Sequence, residues 1–261
     1  MRILITNDDG INAPGLAALE EIAAQVAGDG GEVWTVAPAF EQSGVAHCIS
    51  YSRPFHVAEL APRRWAAEGS PADCVLAALF EVMAGSPPDL VLSGVNRGNN
   101  AAESALYSGT LGAALEAALQ GVPAIALSQF YGPGNRDLAD PFEAARAHGA
   151  DLVRRLIPTM TADRTGYGLF HNVNFPPVPA AEVRGAMATP QGRRPGIAME
   201  IAAQDSPSGR RFLWIRSGDQ QVASPAGTDA AANLDGWISV VPMRADFTDH
   251  AALDAVAGAL A

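Results

Sequence analysis

The first ten residues restrict the fold of this chain most strongly, because an apolar run there ends in two adjacent carboxylates. Residues 3–5, Ile-Leu-Ile, are consecutively apolar, which is typical of a strand buried on both faces of a parallel sheet. Asp8 and Asp9 follow the strand directly. Because open α/β sheets bind ligands beyond the carboxyl ends of their strands, we interpret this turn as a candidate site.

The same turn also has an ordinary structural interpretation. Asn, Asp and Gly are common turn residues, and an Asp before a helix often only caps it. Two adjacent carboxylates after a buried strand repel each other unless a cation lies close, and Arg2 lies at the other end of this strand. From this stretch alone, a turn and a metal site are about equally favoured.

The following segments predict an α/β fold with a doubly wound, mostly parallel sheet. Residues 14–27 have helical spacing and residues 32–37 are typical of a second strand, which together indicate a β-α-β unit. Further strands are expected at residues 89–92, 124–128 and 171–175, with weaker ones at 48–52 and 55–57. Further helices are expected at about residues 71–83, 111–119 and 141–156, the first of them capped by Ser70. Residues 211–216 alternate like one arm of a β-hairpin, and a terminal helix begins at about Asp249.

Polar residues follow two more strands of the predicted sheet. Ser43 follows the second strand, and Asn96 and Asn100 lie in the loop expected at residues 93–100. Because the carboxyl ends of parallel strands share one edge, these oxygens should converge with the two aspartates. Such a set suits Mg²⁺, Mn²⁺ or Ca²⁺ and lacks the Cys and His of structural zinc sites.

Ser108, Gly109 and Thr110 precede a strongly helical run. They are first a capping signal, but a helix start also offers free N–H groups and a positive dipole end to a phosphate. A divalent ion beside that phosphate would polarise it and activate a bound water. The sequence therefore predicts metal-assisted hydrolysis of a phosphate monoester, with Asp8 and Asp9 as the catalytic residues that hold the ion. One of the two is a candidate to accept the proton of the water.

Composition restricts the partners and the compartment. The 261-residue chain has a formal net charge of −11, which argues against binding to a nucleic acid duplex but not against a small phosphorylated substrate. Its two cysteines, Cys48 and Cys74, have no metal-type spacing and fit a reducing cytoplasm. No apolar stretch approaches the roughly 18 residues of a membrane span. We expect a cytoplasmic protein with no membrane partner.

Three other α/β classes fit the sequence less well. A phosphoacceptor signalling domain needs a further Asp and a Lys after later strands, where this chain has Ser93-Gly94 and Ser128-Gln129. Phosphatases with an aspartyl nucleophile space their acids as Asp-x-Asp, whereas these two are adjacent. A dinucleotide-binding domain needs Gly-x-Gly-x-x-Gly after its first strand, which residues 7–12 do not supply.

Eight segments, in order and over most of the chain, resemble the SurE family of survival-protein nucleotidases. They are residues 7–15 (NDDGINAPG), 38–44 (PAFEQSG), 69–75 (GSPADCV), 93–100 (SGVNRGNN), 107–114 (YSGTLGAA), 171–176 (HNVNFP), 191–194 (QGRR) and 227–229 (GTD). One such segment would be weak support, but eight in sequence are highly specific.

The resemblance implies a cytoplasmic 5′/3′-nucleotidase that hydrolyses nucleoside monophosphates with one divalent ion, Mg²⁺ or Mn²⁺, per subunit. It implies a single domain over residues 1–261, with a Rossmann-like core at 1–186 and an extension at 187–261 used in oligomerisation. The hairpin arm at 211–216 would then be exchanged or interfacial in a homodimer or homotetramer. The metal ligands of the family correspond to Asp8, Asp9, Ser43 and Asn96, and its phosphate pocket to Asn100, Ser108, Gly109 and Thr110.

One segment departs from the family. Many members have an Asp two or three residues before the equivalent of Tyr107, whereas this chain has Ala-Ala-Glu-Ser-Ala-Leu at 101–106, and no role is assigned to Glu103. Two alternatives to a nucleotidase stay open. The protein could bind metal and nucleotide without catalysis, or these loops could be ordinary turns.

Overall fold

The computed structural model describes residues 1–160, 166–195, 199–216 and 218–261. The first half of the chain contains β1 (Arg2–Thr6), α1 (Pro14–Ala27), β2 (Glu32–Pro38), β3 (Val57–Ala61), β4 (Arg64–Ala67), α2 (Pro71–Ala77), β5 (Leu90–Arg97), α3 (Gly109–Leu119) and β6 (Ala124–Gln129). The second half contains α4 (Glu143–Leu156), β7 (Phe170–Phe175), β8 (Ala186–Ala188), β9 (Glu200–Asp205), β10 (Arg211–Arg216), α5 (Asp229–Leu234), β11 (Ile238–Met243) and α6 (Leu253–Leu260).

Nine strands form one sheet in the order β3-β4-β2-β1-β5-β6-β7-β11-β8. The central strands β2, β1, β5, β6 and β7 run parallel. Antiparallel pairing occurs between β3 and β4 and between β7 and β11. The predicted α/β fold with a mostly parallel sheet is therefore confirmed.

Helices cover both faces of the sheet and enclose two cores. Helices α1 and α4 pack on one face, where Ile3 and Ile5 of β1 are fully buried. Helices α2 and α3 pack on the other face, where Leu4 is fully buried. Because successive strand residues point to opposite faces, β1 is held by both cores, which fixes the turn at its carboxyl end.

The predicted cap of α2 at Ser70 is confirmed by its hydrogen bonds. At α2, the Ser70 hydroxyl accepts the Asp73 N–H (3.1 Å) and the Asp73 carboxylate accepts the Ser70 N–H (2.9 Å), which forms a capping box. Pro71 occupies the first turn, as expected for a residue without an N–H. Helix α2 ends at Ala77, and a π-helical turn at Ala78–Val82 completes the predicted segment.

The predicted strand at residues 48–52 is wrong, because side chains rather than a partner strand satisfy this backbone. Asp73 accepts both the N–H and the hydroxyl of Ser50, at 2.9 and 2.8 Å. The Ser70 hydroxyl donates to the carbonyl of Cys48. The segment is therefore irregular and is hydrogen-bonded to the start of α2.

Two further strand boundaries differ from those predicted. The weak strand expected at 55–57 begins only at Val57 and pairs with β4, which was not predicted. Strand β5 continues to Arg97 instead of ending at Leu92. After an irregularity beyond Ser93, Asn96 and Arg97 pair with the end of β6.

The predicted hairpin arm is β10, and its partner is β9. The two strands form a separate two-stranded sheet, with a turn at residues 206–209. Along the described ranges, no helix is long and apolar enough to cross a membrane.

Candidate active site

The candidate site lies at the carboxyl edge of the adjacent strands β2, β1 and β5. Asn7 closes the turn after β1, since its amide donates to the Gly10 carbonyl (2.9 Å) and accepts the Gly10 N–H (3.2 Å). Gly10 has a φ of +101°, which side-chain-bearing residues rarely adopt. This closed turn presents Asp8 and Asp9 beyond the end of the strand.

Asp8 is buried, and one of its carboxylate oxygens is bound by the chain itself. The Thr110 hydroxyl donates to Asp8 Oδ1 at 2.7 Å. Burial raises the pKa of Asp8 from 3.8 to about 6; the Thr110 hydroxyl opposes this rise and the charge of Asp9 adds to it. Asp8 Oδ2 is the oxygen left for a ligand.

Asp9 is half-buried and faces β5. Its Oδ2 accepts the backbone N–H of Arg97 at 2.9 Å. Burial raises the pKa of Asp9, the Arg97 N–H opposes this, and the negative charge of Glu41 raises it further. The Arg97 guanidinium lies 5.5 Å from the ring centroid of Tyr131.

Neither aspartate has an ion-pair partner among the arginines and histidines that the structure describes. The more distant charge of Arg97 lowers the pKa of Asp9, but burial and the charge of Glu41 act in the opposite direction, and the pKa is raised overall. This is the electrostatic condition under which a bound cation is favourable.

The loop that carries Ser43 is fastened beside Asp8. The N–H of Gln42 donates to the Asp8 carbonyl at 2.7 Å. Further along the loop, His47 Nε2 contacts Glu116 Oε2 of α3 at 2.6 Å. The Ser43 hydroxyl itself donates to Glu41 Oε1 at 2.7 Å. The structure therefore brings Ser43 to the edge of the site, with its hydroxyl directed at Glu41 rather than at either aspartate.

Asn96 lies in β5, next to the residue that binds Asp9. Its amide nitrogen donates to the Gly98 carbonyl at 3.1 Å. Its Oδ1 accepts no hydrogen bond from any described residue. Asn96 thus offers a neutral oxygen beside the carboxylate pair.

The start of α3 packs directly against Asp8. Ser108 caps the helix by accepting the Leu111 N–H at 3.1 Å. A Cβ added to Gly109 would lie 2.9 Å from Asp8 Cβ and 3.2 Å from Asp8 Oδ2. A glycine at this position therefore allows the start of the helix to approach the carboxylate, and the backbone N–H of Thr110 helps to stabilise the charged form of Asp8.

Asn100 is buried and lies next to Thr110. Its amide nitrogen is 2.9 Å from Ser128 Oγ and 3.4 Å from Thr110 Oγ1. The structure brings Asn100, Gly109 and Thr110 together around Asp8. Both amide hydrogens of Asn100 are directed at hydroxyl oxygens of the chain.

The donor atoms at this edge fit a hard divalent ion. No group of three or more His, Cys, Asp and Glu side chains that could hold a metal occurs in the described ranges. The available set is two carboxylates with the amide oxygen of Asn96 and the hydroxyl of Ser43. Oxygen-only donors of this kind suit Mg²⁺ or Mn²⁺, which keep water and take phosphate oxygens as further ligands.

Sequence reasoning missed residues that support the site from other parts of the chain. The charge of Glu41 raises the pKa of Asp9, and its carboxylate accepts the Ser43 hydroxyl. Its place in the loop after β2 gave no reason to predict either interaction. Glu103 accepts the Arg194 N–H and its Nη1, both at 3.0 Å, so it fixes the C-terminal part of the chain instead of facing the aspartates. Asn172 and Asn174 hold Asn100, and no spacing in the sequence could indicate this contact over more than 70 residues.

A family model described as "Survival protein SurE" matches residues 3–196 of the chain. The match includes all of the candidate site residues. It extends through β7 and β8 to the basic segment at residues 191–194.

Several relatives are similar over their full length. The 5′-nucleotidase SurE of Ruegeria pomeroyi is 66% identical over 260 residues, covering 100% of this chain and 100% of the relative. The 5′-nucleotidase SurE of Cereibacter sphaeroides is 65% identical over 261 residues, covering 99% and 100% of the two chains. The crystal structure of the SurE protein from Aquifex aeolicus is similar with a TM-score of 0.80 and 31% identity, covering 100% of both chains.

Proposed function

The chain belongs to the SurE family of survival proteins, and we propose that it hydrolyses nucleoside 5′- and 3′-monophosphates as a divalent-metal-dependent nucleotidase. The names of its full-length relatives, 5′-nucleotidase SurE, support this activity. The observation that carries the proposal is the position of two adjacent aspartates after β1, neither of them in an ion pair with a described residue, with Asp8 in contact with the start of α3. That arrangement places carboxylates that can bind a cation next to a helix N-terminus that can bind a phosphate.

Asp8, Asp9, Ser43 and Asn96 are the residues we propose as ligands of one Mg²⁺ or Mn²⁺ ion per subunit. When bound, such an ion supplies a Lewis acid that polarises the phosphoryl group and lowers the pKa of water. The oxygens free for this purpose are Asp8 Oδ2, Asp9 Oδ1 and Asn96 Oδ1, because the other carboxylate oxygens accept hydrogen bonds from Thr110 and Arg97.

The N–H groups at the start of α3 would hold the non-bridging oxygens of the substrate phosphate. Ser108 and Gly109 provide the cap and the close approach, and Thr110 and Asn100 line the same side. A phosphate there carries negative charge to the positive end of the helix dipole, which is favourable.

In the reaction, a water oxygen forms a bond to phosphorus while the bond from phosphorus to the nucleoside oxygen breaks. The products are inorganic phosphate and a nucleoside. One proton of the water passes to a carboxylate at the edge of the site, Asp8 or Asp9, which returns it to solvent, and a proton from solvent completes the hydroxyl of the departing nucleoside.

The test is release of inorganic phosphate from nucleoside monophosphates in the presence of Mn²⁺ or Mg²⁺. We expect the wild type to be active and Asp8→Asn and Asp9→Asn to lose nearly all activity. Asp137→Asn is the matched control, since this aspartate is exposed and pairs with the adjacent Arg136. Equal rates for Asp8→Asn and the wild type would contradict the proposal. Binding of metal and nucleotide without any phosphate release would favour the non-catalytic alternative.

We also propose that the β9–β10 hairpin joins copies of the chain into a homodimer or homotetramer. Its large apolar side chains are more than half exposed on both faces of the two-stranded sheet; on β10 these are Phe212, Leu213, Trp214 and Ile215. Contiguous apolar surface of this kind is typical of a protein–protein interface.

A further inference from the structure

Two buried asparagines of β7 hold the main chain of Asn100 from both sides. Asn174 Oδ1 accepts the N–H of Asn100 at 2.8 Å, and the amide nitrogen of Asn172 donates to the Asn100 carbonyl at 2.9 Å. Both side chains are fully buried. Because residues two apart on a strand face the same side, β7 presents the two amides as a pair.

The two amides also fix each other. The amide nitrogen of Asn174 donates to Asn172 Oδ1 at 3.1 Å, so each side chain has one orientation that satisfies the pair. A flip of either amide would place two donors or two acceptors face to face. In a buried position such a mismatch is costly, which makes the arrangement rigid.

The side chain of Asn100 connects the two fixed amides to the candidate site. The Asn100 amide lies next to Thr110, and Thr110 donates to Asp8. A displacement of the Asn100 main chain would move its amide relative to the start of α3. The site therefore depends on a polar pair that touches neither the aspartates nor Thr110.

We infer that Asn172 and Asn174 are positioning residues for phosphate binding and hydrolysis, and that they act by fixing Asn100. The inference rests on the proposed nucleotidase function and on the proposed place of Asn100 in the phosphate pocket. It assigns to the β7 segment at residues 172–174 a role in substrate affinity in addition to its role in the sheet.

A third asparagine provides a matched control. Asn233 is also fully buried, and its amide nitrogen donates to the carbonyls of Asn174 (2.9 Å) and Trp237 (3.1 Å). It supports the same strand but has no hydrogen bond to Asn100. A purely structural role of buried asparagines predicts equal effects at all three positions.

The experiment measures kcat and KM for a nucleoside monophosphate with Mn²⁺, and the affinity of the Mn²⁺-loaded protein for inorganic phosphate by calorimetry. Asn172→Ala and Asn174→Ala should lower kcat/KM at least tenfold and weaken phosphate binding at least fivefold. Asn233→Ala should keep kcat/KM and phosphate affinity within twofold of the wild type, even if its Tm falls as much as the Tm of the other two variants. Affinity for Mn²⁺ alone should change less than twofold in all three.

A double-mutant cycle with Asn100→Ala separates action through Asn100 from general damage. Asn174→Ala should change phosphate affinity less than twofold in the Asn100→Ala background. The inference is overturned if Asn174→Ala weakens phosphate binding as much in the Asn100→Ala background as in the wild type. It is also overturned if Asn100→Ala binds phosphate with wild-type affinity, or if Asn233→Ala lowers kcat/KM and phosphate affinity as much as the other two variants do. Should the alanine variants fail to fold, Asn172→Ser and Asn174→Ser keep a polar group and replace them. A wild type that binds phosphate but releases none would defeat the proposed function alone, since the calorimetry still tests the positioning role.

Discussion

The hydroxyl of Thr110 donates to Asp8 Oδ1 across 2.7 Å and so joins the start of α3 to the end of β1. The two residues are 102 positions apart in the chain. The hydrogen bond orients the carboxylate and lowers its pKa against the larger, opposite effect of burial. It leaves Asp8 Oδ2 as the oxygen available to a cation or a proton.

Thr110→Val should therefore impair catalysis while keeping the shape of the side chain. Loss of a hydrogen bond to a charged group costs about 1.5 to 3 kcal/mol, which corresponds to a roughly ten- to hundredfold lower kcat/KM. Thr110→Ser retains the donor and should recover most of the activity. Phosphate release from a nucleoside monophosphate at saturating Mn²⁺ measures both variants. Activity of Thr110→Val within twofold of the wild type would show that the bond is not needed.

Asp8→Asn should stabilise the metal-free protein at neutral pH although it removes activity. The pKa of Asp8 is raised to about 6 in the folded state, so folding opposes its ionisation. The contribution of Asp8 to the free energy of unfolding is therefore most favourable below the ordinary pKa of 3.8. It becomes less favourable as the pH rises towards about 6, and above that pH the full destabilisation by the buried charge is present. A difference of about two pKa units corresponds to about 3 kcal/mol.

Urea unfolding in EDTA measures this difference. We expect Asp8→Asn to be more stable than the wild type at pH 7.5 and the gap to close as the pH falls below about 4. With excess Mn²⁺ the order should reverse, because a ligand that binds only the folded state stabilises it. A less stable Asp8→Asn protein in EDTA at pH 7.5 would mean that the carboxylate is compensated by the chain itself.

Gly109→Ala should disturb the site by contact rather than by charge. The new methyl group would lie 2.9 Å from Asp8 Cβ, which requires either the turn or the helix start to move. We expect a loss of stability of about 1 to 3 kcal/mol and a marked loss of phosphate release. Gly258→Ala in α6 is the control, because outside the neighbouring backbone of its own helix no described residue has an atom within 4 Å of the added Cβ. Similar activity of the two variants would argue against close packing at Gly109.

Charge on the hairpin should prevent assembly without affecting the fold of one subunit. Leu213→Glu together with Ile215→Glu alters one face of β10, where both side chains are more than half exposed. Sedimentation velocity should show a lower mass than for the wild type, with an unchanged far-UV spectrum. Tyr51→Glu, at a position that is 91% exposed and outside the hairpin, should leave the mass unchanged. A wild type that sediments as one subunit would contradict the proposed assembly.

The part of the fold that could be predicted from sequence is the part governed by local patterns. The apolar run of β1, the helical spacing of residues 14–27 and the cap at Ser70 each depend on neighbouring residues, and each is confirmed. The nucleotidase assignment and the family also agree with the full-length relatives. The ligand roles of Asp8, Asp9, Ser43 and Asn96, the domain division and the cytoplasmic location stay predictions.

The parts that could not be predicted depend on partners far away in the chain. Residues 48–52 have strand-like composition, but Asp73 and Ser70 satisfy their polar groups, so no ladder forms. Strand β5 extends through Asn96 because β6 offers a partner there, which local propensity does not encode. The amides behind Asn100 are found only when β7 is placed in the sheet.

The burial of β1 in two cores has a consequence for the motions of the protein. With neighbours on both sides and a core on each face, β1 can open only when most of the sheet opens as well. Its amide protons should exchange with solvent as slowly as global unfolding allows, whereas those of the β9–β10 hairpin should exchange quickly. We therefore expect the turn that carries Asp8 and Asp9 to keep its position while the β9–β10 hairpin opens and closes.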